Sequence, residues 1–307
     1  MRDTRLLQGL LLSRSDVDRA AHRRQDDAWL AAARRDPQSR MLFISEGLAA
    51  VKRRDDGLSL ILMPCDISAT DVSFLGEDPQ GRAYFGRHVK ADERASFSDD
   101  CEWVSLRECG ELLDDREAGL MVASVALDNW RRSTTRCAGC GGDLIATQAG
   151  WAMRCEVDER DHFPRTDPAV IVLPRDRTGR ALLGRHVDWP VGRLSTFAGF
   201  VEAGESAEAA VRRELREESG IVIADGEGDL VYLGSQPWPF PWSLMLGYHA
   251  WTDDTTLDLG VDEIAEAHWF SRDELQAAMA EGSVKLPPPI SISRRLIERW
   301  LSEPHAN

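Results

Sequence analysis

The segment from Gly199 to Ile221, GFVEAGESAEAAVRRELREESGI, constrains this chain more than any other. It satisfies the pattern G-x5-E-x7-R-E-U-x-E-E-x-G-U, with U aliphatic, at Gly199, Glu205, Arg213, Glu214, Leu215, Glu217, Glu218, Gly220 and Ile221. At ordinary residue frequencies a chain of this length matches it by chance about once in a million. Gly199 and Gly204 permit tight backbone geometry, Ser206 suits an N-cap, and Gly220 suits a left-handed C-terminal cap. Ala207–Glu218 between them holds good or tolerable helix formers. At about 100° per residue, Glu214, Glu217 and Glu218 share an arc of roughly 100°, with Val211 and Leu215 beside it to pack on a sheet. Three carboxylates on one wall repel each other unless a divalent cation lies among them, and Mg2+ or Mn2+ favours such oxygen ligands. A diphosphate would complete the site, its oxygens binding the same ions, which help generate hydroxide from water. Arg213, one helical turn from Glu217, is placed to orient a carboxylate through a bidentate pair. A solvated Glu-rich face is the alternative, but it would not need all of those positions.

The 307 residues suffice for two or three domains with a sizeable core, and 43% hydrophobic with 29% charged residues fits a globular protein. A net charge of −15 argues against non-specific nucleic-acid binding through a basic face. It fits an anionic substrate only if metal ions mediate. No apolar run has the length of a membrane span, and Leu6–Leu12 is too short and too interrupted for a secretory signal. Six cysteines in a chain this size do not make a disulfide scaffold, so a reducing cytoplasm is expected.

Residues 1–130 read as a mixed α/β or β-rich domain. Strand-like stretches are Arg40–Ser45, Leu58–Met63 and Ala83–Val89, and helical ones are Ser105–Leu113 and Ala118–Trp130. Residues 131–165 form a Gly-rich, cysteine-bearing segment. Residues 166–307 read as α/β, with strands at Ala169–Leu173, Ala181–Gly184, near Leu230–Gly234 and at Leu244–Trp251. Helices follow at Ser271–Ala280, with Ser271 and Glu274 as a capping box, and at Ser291–Leu301.

Cys137-Ala-Gly-Cys140-Gly-Gly is shaped like a zinc knuckle, and Cys155 offers a third thiolate. A four-cysteine ribbon needs its last thiolate three positions further on, where this chain has Asp158. A structural zinc would then take Asp158 or His162 as fourth ligand; otherwise the segment is a metal-free vestige. Cys65, Cys101 and Cys109 lack partner spacing and read as core thiols.

Beyond the acidic helix comes Ser235-Gln236-Pro237-Trp238-Pro239-Phe240-Pro241-Trp242-Ser243. Its alternate prolines fix φ and present Trp238, Phe240 and Trp242 at low entropic cost, suited to stacking on a base or nicotinamide. A loop that only plugs the core is the alternative.

The Gly199–Ile221 pattern is that of the Nudix box. With the zinc-ribbon-like segment before it and S-Q-P-W-P-F-P-x-S after it, residues 131–301 resemble the NADH pyrophosphatase family of Nudix hydrolases. The resemblance implies a Nudix fold, α/β with a mixed sheet sandwiched by helices, beside the small ribbon and an N-terminal α/β domain. It implies hydrolysis of NADH or NAD+ to nicotinamide mononucleotide and AMP, removal of an NAD cap from RNA 5′ ends, and a homodimer whose active site is completed across the interface. Glu214, Glu217 and Glu218 match the family's metal-binding glutamates, with the carbonyl of Ala198 and the distal Glu263 as further ligands. Glu218 matches the glutamate most closely tied to turnover. Phe163 and Phe200 match a base-holding aromatic pair, although tyrosine is common where Phe163 stands. Gln236, Pro237, Trp238, Pro239, Phe240, Pro241, Trp242 and Ser243 match the substrate loop, with Trp238 reaching the neighbouring subunit's ligand. Ser293 stands where a backbone contact to substrate is made, and Arg107 matches a substrate-contacting arginine. Asp158 replaces a cysteine ligand, and Gly150 stands where some members carry an acidic substrate contact. A different class of reading is a non-catalytic nucleotide sensor or zinc-ribbon nucleic-acid binder, yet such degeneration usually deletes a box carboxylate, and none is missing.

Overall fold

The computed structural model describes residues 5–55, 57–259 and 263–303, and these form two compact units. One comprises Leu11–Thr166 with Trp238–Trp242; the other comprises Met1–Leu10, Asp167–Pro237 and Ser243–Asn307.

The N-terminal unit opens with 3-10 turns at Leu11–Ser13 and Ala21–Gln25 and helix α1 (Asp27–Arg35). Strands β1 (Arg40–Ser45), β2 (Leu48–Arg54), β3 (Gly57–Leu60), β4 (Val72–Glu77), β5 (Ala83–His88) and β6 (Cys101–Ser105) form one sheet. Its order is β3-β2-β1-β5-β4, with β6 on β2; β1 and β5 run parallel and the other pairs antiparallel. The stretch expected to be a helix over Ser105–Leu113 shortens to α2 (Leu106–Cys109): Ser105 and Glu108 form a capping box at its start, and from Gly110 the chain turns, the Leu112 N–H donating to the Cys109 carbonyl. Helix α3 (Asp115–Ser133) buries Leu120, Met121, Val125, Leu127 and Trp130. The expected strand Leu58–Met63 ends at Leu60, and Met63 instead bridges to Met41. A three-stranded ribbon follows, β7 (Leu144–Thr147), β8 (Ala152–Cys155) and β9 (Asp161–His162).

Within this unit Glu117 is buried on α3, its Oε1 accepting the Leu60 N–H at 3.0 Å. Burial, and secondarily Asp114, pushes its carboxyl up to about 7. The folded state therefore holds the proton between the ordinary carboxylate range and about 7, so stability falls as pH rises through that window. Glu117→Gln keeps the acceptor without the charge. Unfolding by urea at pH 8 should show the variant more stable, by about 2 kcal/mol, with the gain vanishing near pH 4; equal stability at pH 8 would refute this.

The second unit is built on β10 (Asp167–Asp176), β11 (Ala181–His186), β12 (Phe197–Phe200), β13 (Leu230–Trp238), β14 (Ser243–Thr252) and β15 (Ile264–Phe270). The order is β13-β14-β10-β11-β15, with β12 antiparallel to β10. β10 and β14 run parallel from Asp167↔Ser243 to Asp176↔Thr252. The apolar run in β10 reads as it must for a strand covered on both faces. Val170 and Val172 join Val211 and Leu215 of α4 (Ala207–Ser219) in one core. Ile171 and Leu173 join Leu275 of α5 (Arg272–Glu281) and Leu296, Ile297 and Trp300 of α6 (Ile292–Ser302) in the other. The expected sheet between helices is the observed one. Among the described residues no helix is long and apolar enough to cross a membrane.

Candidate active site

Helix α4 begins where Ser206 Oγ accepts the Ala209 N–H at 3.2 Å and ends where Gly220 turns left-handed at φ 74°. Its apolar side holds Val211 and Leu215 against the sheet, which fixes the direction of the acidic arc. Glu214 and Glu218 are buried at 9% and 8% exposure, whereas the Glu217 side chain is exposed.

Arg213 organises this wall. Its Nε and Nη2 donate to Glu205 Oε1 and Oε2 at 3.0 and 2.9 Å, a bidentate pair. Nη1 donates to Glu214 Oε1 at 2.7 Å and Glu217 Oε2 at 3.1 Å, and Nη2 also reaches the Phe200 carbonyl at 2.9 Å. The expected Arg213–Glu217 contact is present, but the forked partner is Glu205. Glu205 has a fixed place in the Gly199–Ile221 pattern, and that spacing is the signal in the sequence for its pairing with Arg213.

The first glycine of the pattern has a steric reason. Gly199 lies in β12, and a Cβ there would fall 1.9 Å from both Cδ and Oε1 of Glu214. Only a residue without a side chain lets that carboxylate lie against the strand.

Glu218 is the least compensated of the group. Its Oε2 is buried with no hydrogen-bond partner. Burial first, then Glu214 and Glu263, push its carboxyl up to about 8, while the Ala198 backbone pulls the other way. Glu214 is raised too, mainly by burial, against the opposing pull of Arg213. Glu263, just before β15, contributes to both shifts, and its carbonyl accepts the Val187 N–H. Crowded carboxylates with an orphaned oxygen are the donor set that a hard divalent cation fits. Phe200, on the strand that carries Ala198 and Gly199, is 59% exposed.

Other anticipated residues in this unit have mainly packing contacts. Gln236 is fully buried in β13, its Nε2 donating to the Ile290 carbonyl at 2.9 Å. Pro237 and Ser243 lie at facing ends of β13 and β14. Ser293 Oγ bonds Thr196 Oγ1 at 2.7 Å and Ser195 Oγ at 2.9 Å, and its N–H donates to the N-cap Ser291 Oγ at 3.2 Å.

In the N-terminal unit, Trp238–Trp242 forms a turn held by Asn129, whose Nδ2 donates to the carbonyls of Pro239 at 2.9 Å and Pro241 at 3.1 Å. The sequence carried no signal for Asn129, since its partners are more than a hundred residues away and its helix reads as core. Trp238 and Phe240 meet edge to face at 4.9 Å, and the Arg107 guanidinium lies 3.9 Å from the Phe240 ring centroid and 4.9 Å from that of Trp238. The rings are therefore half-buried and braced by a cation as well as stiffened by proline. Trp242 carries Arg165 at 5.3 Å, and Phe163 is 60% exposed.

Also in this unit, ligand atoms of Cys137, Cys140, Cys155 and Asp158 lie within 4.8 Å of one another. Cys140 and Cys155 sulfurs are 3.4 Å apart, and Cys137 Sγ is 3.5 Å from Asp158 Oδ2. Backbone N–H groups of Gly139 and Val157 point at the Cys137 and Cys155 sulfurs, each at 3.4 Å. Burial opposes ionisation of Cys137, but backbone N–H groups of Cys140 and Gly139 and the His162 ring outweigh it and bring the thiol down to about 7. Such a set fits tetrahedral zinc. His162, with Nε2 3.3 Å from Cys137 Sγ, stands outside the four-ligand cluster. If zinc is held here, Asp158→Ala should lower zinc content, measured by elemental analysis, and weaken retention against a chelator by about 10- to 100-fold. Unchanged zinc retention would remove Asp158 as a ligand.

A loop, a helix and a neighbouring strand arranged in this way define an acidic wall of the kind that grips divalent cations against a phosphate chain. The NUDIX domain family model matches residues 165–288. The chain is 39% identical over 306 residues to the NAD-capped RNA hydrolase NudC of Mycobacterium bovis, with 94% of each chain covered. It stands in the same relation to the protein of that name from Mycobacterium tuberculosis. The NAD-capped RNA hydrolase NUDT12 of Pongo abelii is 34% identical over 202 residues, 62% of this chain and 43% of that one. The chain belongs to the Nudix hydrolase family, whose members use divalent metals.

Proposed function

We propose that this chain hydrolyses the diphosphate bridge of NADH and NAD+ to nicotinamide mononucleotide and AMP, and removes the NAD cap from RNA 5′ ends. The observation that carries the reading is the buried, unpartnered Glu218 oxygen on a helix whose other carboxylates Arg213 gathers. Identity of 39% across 94% of a protein named as an NAD-capped RNA hydrolase supports the choice of substrate.

In this reading Glu214, Glu217, Glu218, Glu263 and the Ala198 carbonyl hold Mg2+ or Mn2+. When bound, such ions neutralise charge at phosphorus and lower the pKa of water. Arg213 keeps Glu214 and Glu217 aimed while its fork is anchored on Glu205. Glu218 is the residue on which turnover most depends. Phe200, and in the N-terminal unit Phe163, each present an exposed ring suited to stacking on an aromatic ligand. Arg107 and Asn129 brace the turn that carries Trp238, Pro239, Phe240, Pro241 and Trp242 for the nicotinamide end, and Gln236, Pro237, Ser243 and Ser293 are taken as further substrate contacts. A structural Zn2+ on Cys137, Cys140, Cys155 and Asp158 would stiffen the ribbon. The working form is a cytoplasmic homodimer.

The deciding experiment incubates purified protein with NADH and Mg2+ or Mn2+ and measures AMP. Stoichiometric AMP and nicotinamide mononucleotide are expected; no AMP with either ion would overturn the proposal.

A further inference from the structure

The N-terminal unit carries a cationic cluster that diphosphate hydrolysis does not use. Arg24, in the turn Ala21–Gln25, places its guanidinium carbon 3.8 Å from the Trp151 ring centroid, and Arg19 lies 5.2 Å from the same centroid. Two like charges thus share one indole. Among the described residues neither has an ion pair, and Arg24 Nε is buried without a hydrogen-bond partner. The neighbouring acids are engaged elsewhere. Asp18 Oδ1 accepts the Ala20 N–H at 2.9 Å, Glu77 faces Arg23 at 3.7 Å, and Asp16 holds Arg116. Burial, then the charge of Arg19, weakens the hold of Arg24 on its proton.

The backbone around the cluster is strained. Ala20, next to Arg19, has φ 40° and ψ 51°. Gln148, Ala149 and Gly150 run into Trp151 at φ 50°, 49° and 87°. Among the described residues, three of the five non-glycine positions with positive φ therefore gather here. At Gly150 a Cβ would come within 2.3 Å of Ser73 Oγ, and Trp151 Nε1 donates to the Phe74 carbonyl at 2.6 Å. Strain of this kind persists where the surroundings hold it and concentrates at functional positions. Here it fixes an indole under two uncompensated guanidiniums.

We propose that Arg19 and Arg24, held over Trp151, bind phosphate groups of a single-stranded RNA chain. The inference rests on the reading of NAD-capped RNA as a substrate. A free dinucleotide has one diphosphate, whereas the capped RNA brings phosphodiesters beyond it. Arginine matches their oxygens in a bidentate manner. With a net charge of −15 the molecule cannot draw in RNA by its overall field, so a local pair without acidic partners must supply the attraction.

The test uses the full chain and a fluorescent single-stranded RNA of about ten nucleotides bearing a 5′-monophosphate, with anisotropy read between about 50 and 200 mM salt. The pair Arg19→Gln/Arg24→Gln should weaken binding about tenfold and reduce the slope of log K on log salt by about one to two. Arg19→Lys/Arg24→Lys should keep most of that slope, which separates charge from packing. For cleavage, kcat/KM on NADH should stay unchanged while KM for an NAD-capped RNA of the same length rises about tenfold. Should the Gln pair unfold, Arg19→Gln alone, at an exposed position, should still reduce the slope. The proposal is overturned if the Gln pair binds RNA with the wild-type slope. It is also overturned if inorganic phosphate occupies the site as tightly as RNA, which would make it a free-phosphate site. Wild type that binds RNA through this pair but leaves the cap intact would sink the decapping reading alone.

Discussion

Glu218→Gln is expected to lower kcat on NADH by about a thousandfold or more, equivalent to roughly 4 kcal/mol of barrier, with no loss of thermal stability. Glu218 is 8% exposed, one oxygen has no partner, and Glu214 and Glu263 oppose its ionisation. A neutral amide of the same shape relieves that repulsion, so the melting temperature should hold or rise. What the amide cannot supply is an anionic oxygen for a cation. The same environment sets a pH signature. With the carboxyl near 8 in the ion-free protein, proton and cation compete, and Mg2+ affinity should weaken as pH falls below about 8. Steady-state kinetics and a melting curve on the same preparation decide the matter. Near-full activity in the Gln variant would mean that the box is not catalytic.

Gly199→Ala is expected to cost about a hundredfold in kcat/KM on NADH, because a displacement of about 1 Å at a reacting centre has effects of that size. The added Cβ would meet the Glu214 carboxylate at 1.9 Å, far inside van der Waals contact, and it would be fixed to a strand paired with β10. The carboxylate must therefore leave its position beside Arg213. A modest stability loss of about 1 to 3 kcal/mol should accompany this, as overpacking usually brings. Gly204→Ala is the internal control. Nothing lies within 4 Å of a Cβ there, although φ is +86°, so strain without displacement should leave kcat/KM nearly intact. Wild-type kcat/KM for Gly199→Ala, or an equal loss in both variants, would remove the steric account.

Where one helix meets solvent on one side and sheet on the other, the sequence is sufficient. The α4 arc, its Ser206 cap and its Gly220 stop follow from a 3.6-residue period and the chemistry of helix ends. The same holds for the Ser271–Glu274 capping box and for the unbroken apolar run that became β10. Strand β12 escaped notice because Phe197-Ala-Gly-Phe reads as a loop; its glycine answers a carboxylate fifteen residues later, a demand no local window contains. β13 runs on to Trp238 past the expected end near Gly234, since its pairing with β14 decides its length.

The sequence by itself determined that Glu214, Glu217 and Glu218 share one arc of a helix and that a sheet lies behind it, because these depend on spacings within a turn or two. Tertiary structure alone decided that Glu218 is buried and uncompensated, that Glu205 rather than Glu217 takes the fork of Arg213, and that Asn129 secures a turn far along the chain. It also decided that Arg19 and Arg24 meet over Trp151. Burial and long-range pairing depend on what the rest of the chain excludes from water, and that is set only when distant segments pack.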